Sequence, residues 1–137
     1  SGRAPGLRIA RQSTNVLFDW ILGALAAPLG PEWAERIAVA LAVLVFAWGA
    51  FSFVSAVSGR RAWDLLPCIA MLAYGWGFHI GFFNFYLGLG LSLAAFALAW
   101  SGTPTRIAAA APILALAWLA HALPVAWVIA LIAFTGI

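Results

Sequence analysis

The chain has 137 residues, 66% of them hydrophobic and 8% charged, with a mean hydropathy of +1.05 and a formal net charge of +3. A soluble domain needs roughly 25% charged residues to cover its surface, so the bilayer is the natural main solvent. All seven basic residues are arginines, spread over loops and one end with no basic patch among stacking aromatics, so nothing suggests nucleic-acid binding.

Residues 1–12 carry Arg3, Arg8 and Arg11 beside Pro5 and read as an irregular arm. Ser13, Thr14 and Asn15 then offer N-cap side chains to the apolar segment 16–27. That segment is too short to span, since about 20 residues are required. Leu17, Ile21, Ala24 and Leu25 share a face and Asp19 adds polarity. An amphipathic helix lying in the interface, or packed on a bundle, is expected over 13–30, with the stretch from Pro28 to Pro31 as its turn.

Residues 31–137 read as an all-α, polytopic transmembrane helix bundle of about four to five spans. Pro31 suits a first helical position, with Glu32 and Glu35 favourable in the first turn. The run from Ile37 to Val57 is the first span, and Glu32 and Arg36 are spaced to pair at its edge. Gly59, Arg60 and Arg61 end it. Asp64 is a plausible cap for a short second apolar run from Leu65 to Phe78, in which Cys68 reads as a small packing residue. A third span is expected from Phe82 to Trp100. Thr103 and Pro104 open a fourth, from Ile107 to Ala120, bent at Pro112. One rod from Ile107 to Ile137 would extend to about 46 Å, so a hairpin near His121 and a truncated fifth span are expected.

Charge gives the orientation. Arg60, Arg61 and Arg106 put loops 58–64 and 101–106 on one, cytoplasmic, side. Asp19, the Glu32 end of the first span, and the corners near His79 and His121 then fall together on the outer side. Arg3, Arg8 and Arg11 fall there too, against the rule.

Ionisable groups at membrane depth are costly and often functional, so Asp19, His79 and His121 are weak catalytic candidates. Tyr74, Trp76, His79, Asn84 and Tyr86 are candidates for binding a lipid or other substrate. Each also has a structural reading. The two histidines can cap helix ends, Asn84 can bridge helices, Asp19 can face water, and aromatic residues gather at membrane interfaces. The aromatic, glycine-rich stretch from Tyr74 to Gly90 could form a groove for a lipid or polyprenyl chain. In it, Gly77, Gly81, Gly88 and Gly90 could let helices approach closely. No phosphate-binding loop, Ser/His/Asp order or zinc-ligand spacing occurs, so no metal site is expected and the cofactor stays open. The opening without Met and the close inside an apolar run lead us to expect an interior piece of a longer protein, or a processed chain.

The phrases TNVLFDWILGALAAPLGPEWAERIAVALAVLVFAWGAF, FHIGFFNFYLGLGLSLAAFALAW and LAWLAHALPVAW resemble an interior portion of large bacterial polytopic proteins that look like GT-C-type glycosyltransferases. The resemblance implies a bacterial inner-membrane enzyme that uses a polyprenyl-phosphate-linked sugar donor on the outer face. It implies as partners the bilayer, that lipid, and the rest of a longer chain or other membrane subunits. The rival expectation is a non-catalytic structural subunit of a membrane complex, with or without a pigment or haem held by His79 and His121. A transporter would need polar groups at mid-membrane, where the sequence offers only small ones such as Ser52, Ser55 and Ser92.

Overall fold

The computed structural model describes residues 12–136, and the arm at 1–12, with Arg3, Arg8 and Arg11, lies almost wholly outside them. The described residues are all helical, without strand. The helices are α1 (Leu17–Leu29), α2 (Pro31–Ser58), α3 (Leu66–Ala73), α4 (Trp76–His79), α5 (Phe83–Ala99), α6 (Pro104–Ala120) and α7 (Ala122–Thr135), with a 3-10 turn at Trp63–Leu65. Among them only α2, with 28 residues, is long and apolar enough to cross a membrane. At 1.5 Å per residue it measures about 42 Å. The other apolar helices have 13 to 17 residues, short of the roughly 20 that a crossing needs.

The second apolar run does not form one helix. It breaks at Tyr74 and Gly75, so that α3 has 8 residues and α4 has 4. The run still travels back along α2, because Trp63 stacks on Phe51 while Tyr74 and Phe78 reach Glu35 and Val39. The break at His121 arises from Pro124, whose ring in a continuous helix would strike the carbonyl of Ala120. His121 is extended at φ −164° and ψ 127°, and it alone joins α6 to α7. An antiparallel helix pair needs a loop of about 2–5 residues, so the expected hairpin is replaced by a one-residue corner. After it, α7 packs mainly on α5.

Helix directions fix the depth of everything else. Phe46 meets Tyr86, Gly49 abuts Gly90 and Phe53 meets Phe96, so α2 and α5 run parallel. Their interface is the largest in the fold. Antiparallel to α5, α6 brings Ala110 to Ala95 and Ala99, and the His121 corner to Gly88. Gly30, at φ 80°, reverses the chain between α1 and α2. The first turn of α1 therefore packs beside Ala42, Val43 and Phe46, and of the two placements expected for α1 the one on the bundle is found.

Asp19 and the His121 corner thus lie at the middle of α2, not beside Glu32 at its start. Phe46 is about 22 Å from the first residue of α2 and about 18 Å from its last. The expectation that put all of these groups on one outer surface assumed that each apolar run crosses completely. In fact α1 and α5 both begin halfway along α2. The loops after α2 and after α5 do share one end of the bundle, as the arginines imply.

Several local expectations change. Glu32 and Arg36 make no ion pair, and the Arg36 guanidinium lies 5.4 Å from the Trp33 ring centre. Asp64 does not cap; both its oxygens accept from Arg60, at 3.0 and 3.1 Å. That fork holds the exposed Asp64 carboxyl below its ordinary 3.8. Its contribution is therefore complete above pH 3.8 and is lost as the pH falls through the lowered value. Being solvent-screened, it is small. We expect Asp64→Asn to leave thermal stability at neutral pH nearly unchanged and to remove only a salt-sensitive increment, measurable by unfolding at low and high ionic strength. Cys68 is exposed rather than packed.

The outside of the bundle is apolar on several sides. Trp48 of α2 is 59% exposed, Met71 of α3 77% and Phe134 of α7 89%.

Candidate functional site: a groove at the middle of the long helix

A groove of about 930 Å³ opens where the first turns of α1, α5 and α7 converge on Phe46. Its walls are mostly aromatic. Phe18 stacks on Phe83 with ring centres 5.0 Å apart, Phe85 takes His121 edge-on at 5.4 Å, and Trp76 meets Phe82. Asn15, Asp19, Asn84 and His121 supply its polar lining.

Asn84 organises that polar end. Its Oδ1 accepts from the Phe18 amide at 2.7 Å, and its Nδ2 donates to the Asn15 carbonyl at 3.2 Å. Val16, at the N-cap of α1, has no side-chain acceptor, so Asn84 satisfies from 66 residues away an amide that a helix start leaves open. Asn84 Nδ2 also lies 3.5 Å from Asp19 Oδ2. Two of the three residues expected to cap α1 do other things. Thr14 Oγ1 donates to the Trp118 carbonyl at 2.6 Å, and the Val16 amide donates to Leu119 at 3.0 Å. Two open carbonyls at the end of α6 are closed in this way, and Asn15 takes up a left-handed turn at φ 63°.

His121 is therefore released from capping carbonyls. Its Nδ1 accepts from the Leu123 amide at 3.3 Å, as the N-cap of α7. An accepting Nδ1 leaves the ring proton on Nε2, as a donor.

The groove thus gathers Asp19, Trp76, Asn84, Tyr86 and His121 from the residues singled out in the sequence. Tyr86 is buried; its hydroxyl donates to the Leu72 carbonyl at 3.2 Å and its ring packs on Gly77, which gives it a structural job as well. Tyr74 lies elsewhere, in a second depression of about 530 Å³ with Glu32, Glu35 and Arg36. His79 lines neither cavity. It is exposed at the end of α4, edge-on to Phe78 at 5.7 Å. The two histidines consequently do not face each other across one cavity. Among the described residues no group of three His, Cys, Asp or Glu side chains could hold a metal.

Sequence reasoning missed Phe18, Phe46 and Trp127 as groove walls. Each sits inside an apolar helix whose periodicity looks the same whether a ring faces a groove or a lipid.

No family model matches this chain, and no solved structure matches it. One stretch of 56 residues is 36% identical to an uncharacterised protein of Mycobacterium leprae, covering 41% of this chain and 21% of that protein. The match thus spans about a fifth of that relative's length.

Proposed function

We propose that the chain is a membrane-embedded helical unit of a GT-C-like glycosyltransferase in a bacterial inner membrane. The groove around Asp19, Asn84 and His121 is where it holds a lipid-linked substrate. Loops 58–64 and 101–106 face the cytoplasm in this reading, and the polyprenyl-phosphate-linked sugar donor enters from the outer side to reach the groove. The observation that carries it is the groove itself. A cavity of about 930 Å³ is large enough for a drug-sized segment of ligand, and its walls are aromatic with a few convergent polar groups at one end. The large apolar side chains left exposed on α2, α3 and α7 support a hydrocarbon surround, since patches of this kind mark membrane or partner contact.

Within the groove, aromatic rings hold a hydrocarbon chain by area and shape. The Asp19 carboxylate only accepts hydrogen bonds, and Asn84 is spent on α1. His121 offers its Nε2 proton. Asp19 can accept the proton of a hydroxyl and His121 can donate to an oxygen, each from its own place in the lining. In the full-length protein reconstituted with a polyprenyl-phosphate sugar, Asp19→Ala and His121→Ala should each lower sugar transfer by about 100-fold or more. Unchanged transfer by both variants, with normal thermal unfolding, would sink the assignment.

A further inference from the structure

We infer that the depression at the start of α2 binds the head of a zwitterionic phospholipid, holding its amine and its phosphodiester at two different depths. This goes beyond the groove and rests only on α2 crossing a membrane. Three observations carry it.

The first is how the depression is built. Its volume is about 530 Å³, and two segments far apart in sequence close it, the first half of α2 and the rings of Tyr74 and Phe78. Those rings meet edge-on with centres 5.1 Å apart. Glu32, Glu35, Arg36, Val39 and Val43 line the α2 side, at the spacings that put side chains on one face of a helix. A carboxylate in the first turn suits the helix dipole, but an arginine so near the start does not. Arg36 stands on this face against that preference.

Depth is the second. At about 42 Å, α2 is longer than a hydrocarbon core of about 30 Å. Centred on that core, it leaves about four residues at each end in the head-group layer. Glu32 then stands in that layer, Glu35 and Arg36 at its inner edge, and Val39 and Val43 in the hydrocarbon. Arg36 is about 6 Å below Glu32, and Val43 about 10 Å below Arg36. Inward along α2 the lining therefore reads carboxylate, guanidinium, apolar floor. Phosphatidylethanolamine presents the complementary order, with its amine outermost, its phosphodiester beneath and its acyl chains below.

The third is chemistry. A primary ammonium carries three donors, and the Glu32 and Glu35 carboxylates are acceptors only. The Arg36 guanidinium lies over the Trp33 ring. Stacking of this kind uses its flat face and leaves the in-plane fork of N–H donors, which matches a phosphate. A phosphoglycerol head brings no positive charge to the carboxylates, and a bare hydroxyl head brings no negative charge to Arg36. Below the charged groups, the Phe78 ring with Val39 and Val43 receives the chains by apolar area.

The test uses the full chain in phosphatidylglycerol vesicles with traces of three photoactivatable lipids. These share the same two acyl chains, reactive near the head, and carry a phosphoethanolamine, a phosphoglycerol or a free hydroxyl head. Crosslinked peptides are read by mass spectrometry. Labelling around Tyr74 and Phe78 is divided by labelling around Trp63, which is half-exposed at the far end of α2 and reports each probe's presence at a membrane surface. We expect this ratio to be about fivefold higher for phosphoethanolamine than for either other head. It should fall at least about threefold in the double variant Glu32→Gln, Glu35→Gln and in Arg36→Gln, since glutamine keeps a polar chain and loses the charge. Unchanged labelling at Trp63 shows that each variant is still inserted. A phosphoglycerol or hydroxyl ratio equal to or above that of phosphoethanolamine overturns the inference. A phosphoethanolamine ratio unchanged in either variant overturns it too. If no probe labels Trp63 or the depression, α2 does not cross the bilayer and the inference falls with that premise, a result distinct from enrichment of the wrong head.

Discussion

Replacing Gly90 by alanine should destabilise the protein by about 3 kcal/mol or more, the upper range for forcing a methyl into a packed core. A Cβ on Gly90 would stand 2.5 to 2.7 Å from the carbonyl of Val45 and the Cα of Phe46. These are backbone atoms of α2, and no rotamer change can move them aside. Gly49 mirrors the arrangement, because its Cβ would overlap the Gly90 carbonyl and Cα. The two helices must therefore separate along their length, and their interface is the largest in the fold. Separation also opens the contacts of Phe46 with Tyr86 and of Phe53 with Phe96. Gly49→Ala should cost a comparable amount, and the double variant less than the sum, since one displacement relieves both overlaps. Gly23→Ala is the control: nothing lies within 4 Å of a Cβ there, and alanine favours a helix over glycine by roughly 1 kcal/mol. Unfolding in mixed detergent micelles ranks the four variants. A Gly90→Ala protein as stable as Gly23→Ala would show that α2 and α5 do not touch as described.

The long helix and the small residues on its neighbour were legible in the sequence for simple reasons. An uninterrupted apolar run closed by Gly59 leaves little choice to residues 31–58, and Gly59 ends it in the left-handed region at φ 67°. Gly88 and Gly90 do provide close approach, to the His121 corner and to α2. Gly77 and Gly81 share that spacing logic and fail it. Gly77 makes room for the Tyr86 ring, and Gly81 turns the chain at φ 79°. Composition could not separate these uses, because a small residue is demanded equally by a helix crossing, a ring and a turn.

Depth was the larger miss. The sequence marks where polar residues sit along the chain, while their height depends on which helices start halfway. Two facts decide it: α1 is folded back along α2 by Gly30, and α5 begins at Phe83 beside Val43 and Phe46. Both depend on pairings between residues far apart in sequence, as with Asn84 and Phe18. Polar groups at the mid-height of α2 are furnished by Asp19, Asn84 and His121, brought in on the ends of shorter helices rather than by Ser52, Ser55 or Ser92.

Asn84→Ala should cost about 2 kcal/mol and, more tellingly, release the start of α1 while leaving α2 and α5 in place. The amide side chain fills three needs at once: an acceptor for the Phe18 amide, a donor to the Asn15 carbonyl and a neighbour for Asp19. Alanine leaves the first two groups without partners in a site lined by aromatic rings, and an unsatisfied polar group there costs roughly 1–3 kcal/mol. Water entering the groove would offset part of this, so the global effect stays below that of Gly90→Ala. Locally the effect is sharper. Exchange at the Phe18 amide should become at least about tenfold faster as a bond of roughly 1.5 kcal/mol is removed, with amides in the middle of α2 unchanged. Asn84→Asp separates the two roles. It keeps an oxygen for Phe18 but loses the donor to Asn15 and sets a second carboxylate beside Asp19, so it should be at least as damaging as alanine. Protection at Phe18 that is unchanged in both variants would mean that α1 is held by its apolar face alone, through Leu17, Phe18 and Ile21, and that the polar end of the groove has no fixed architect.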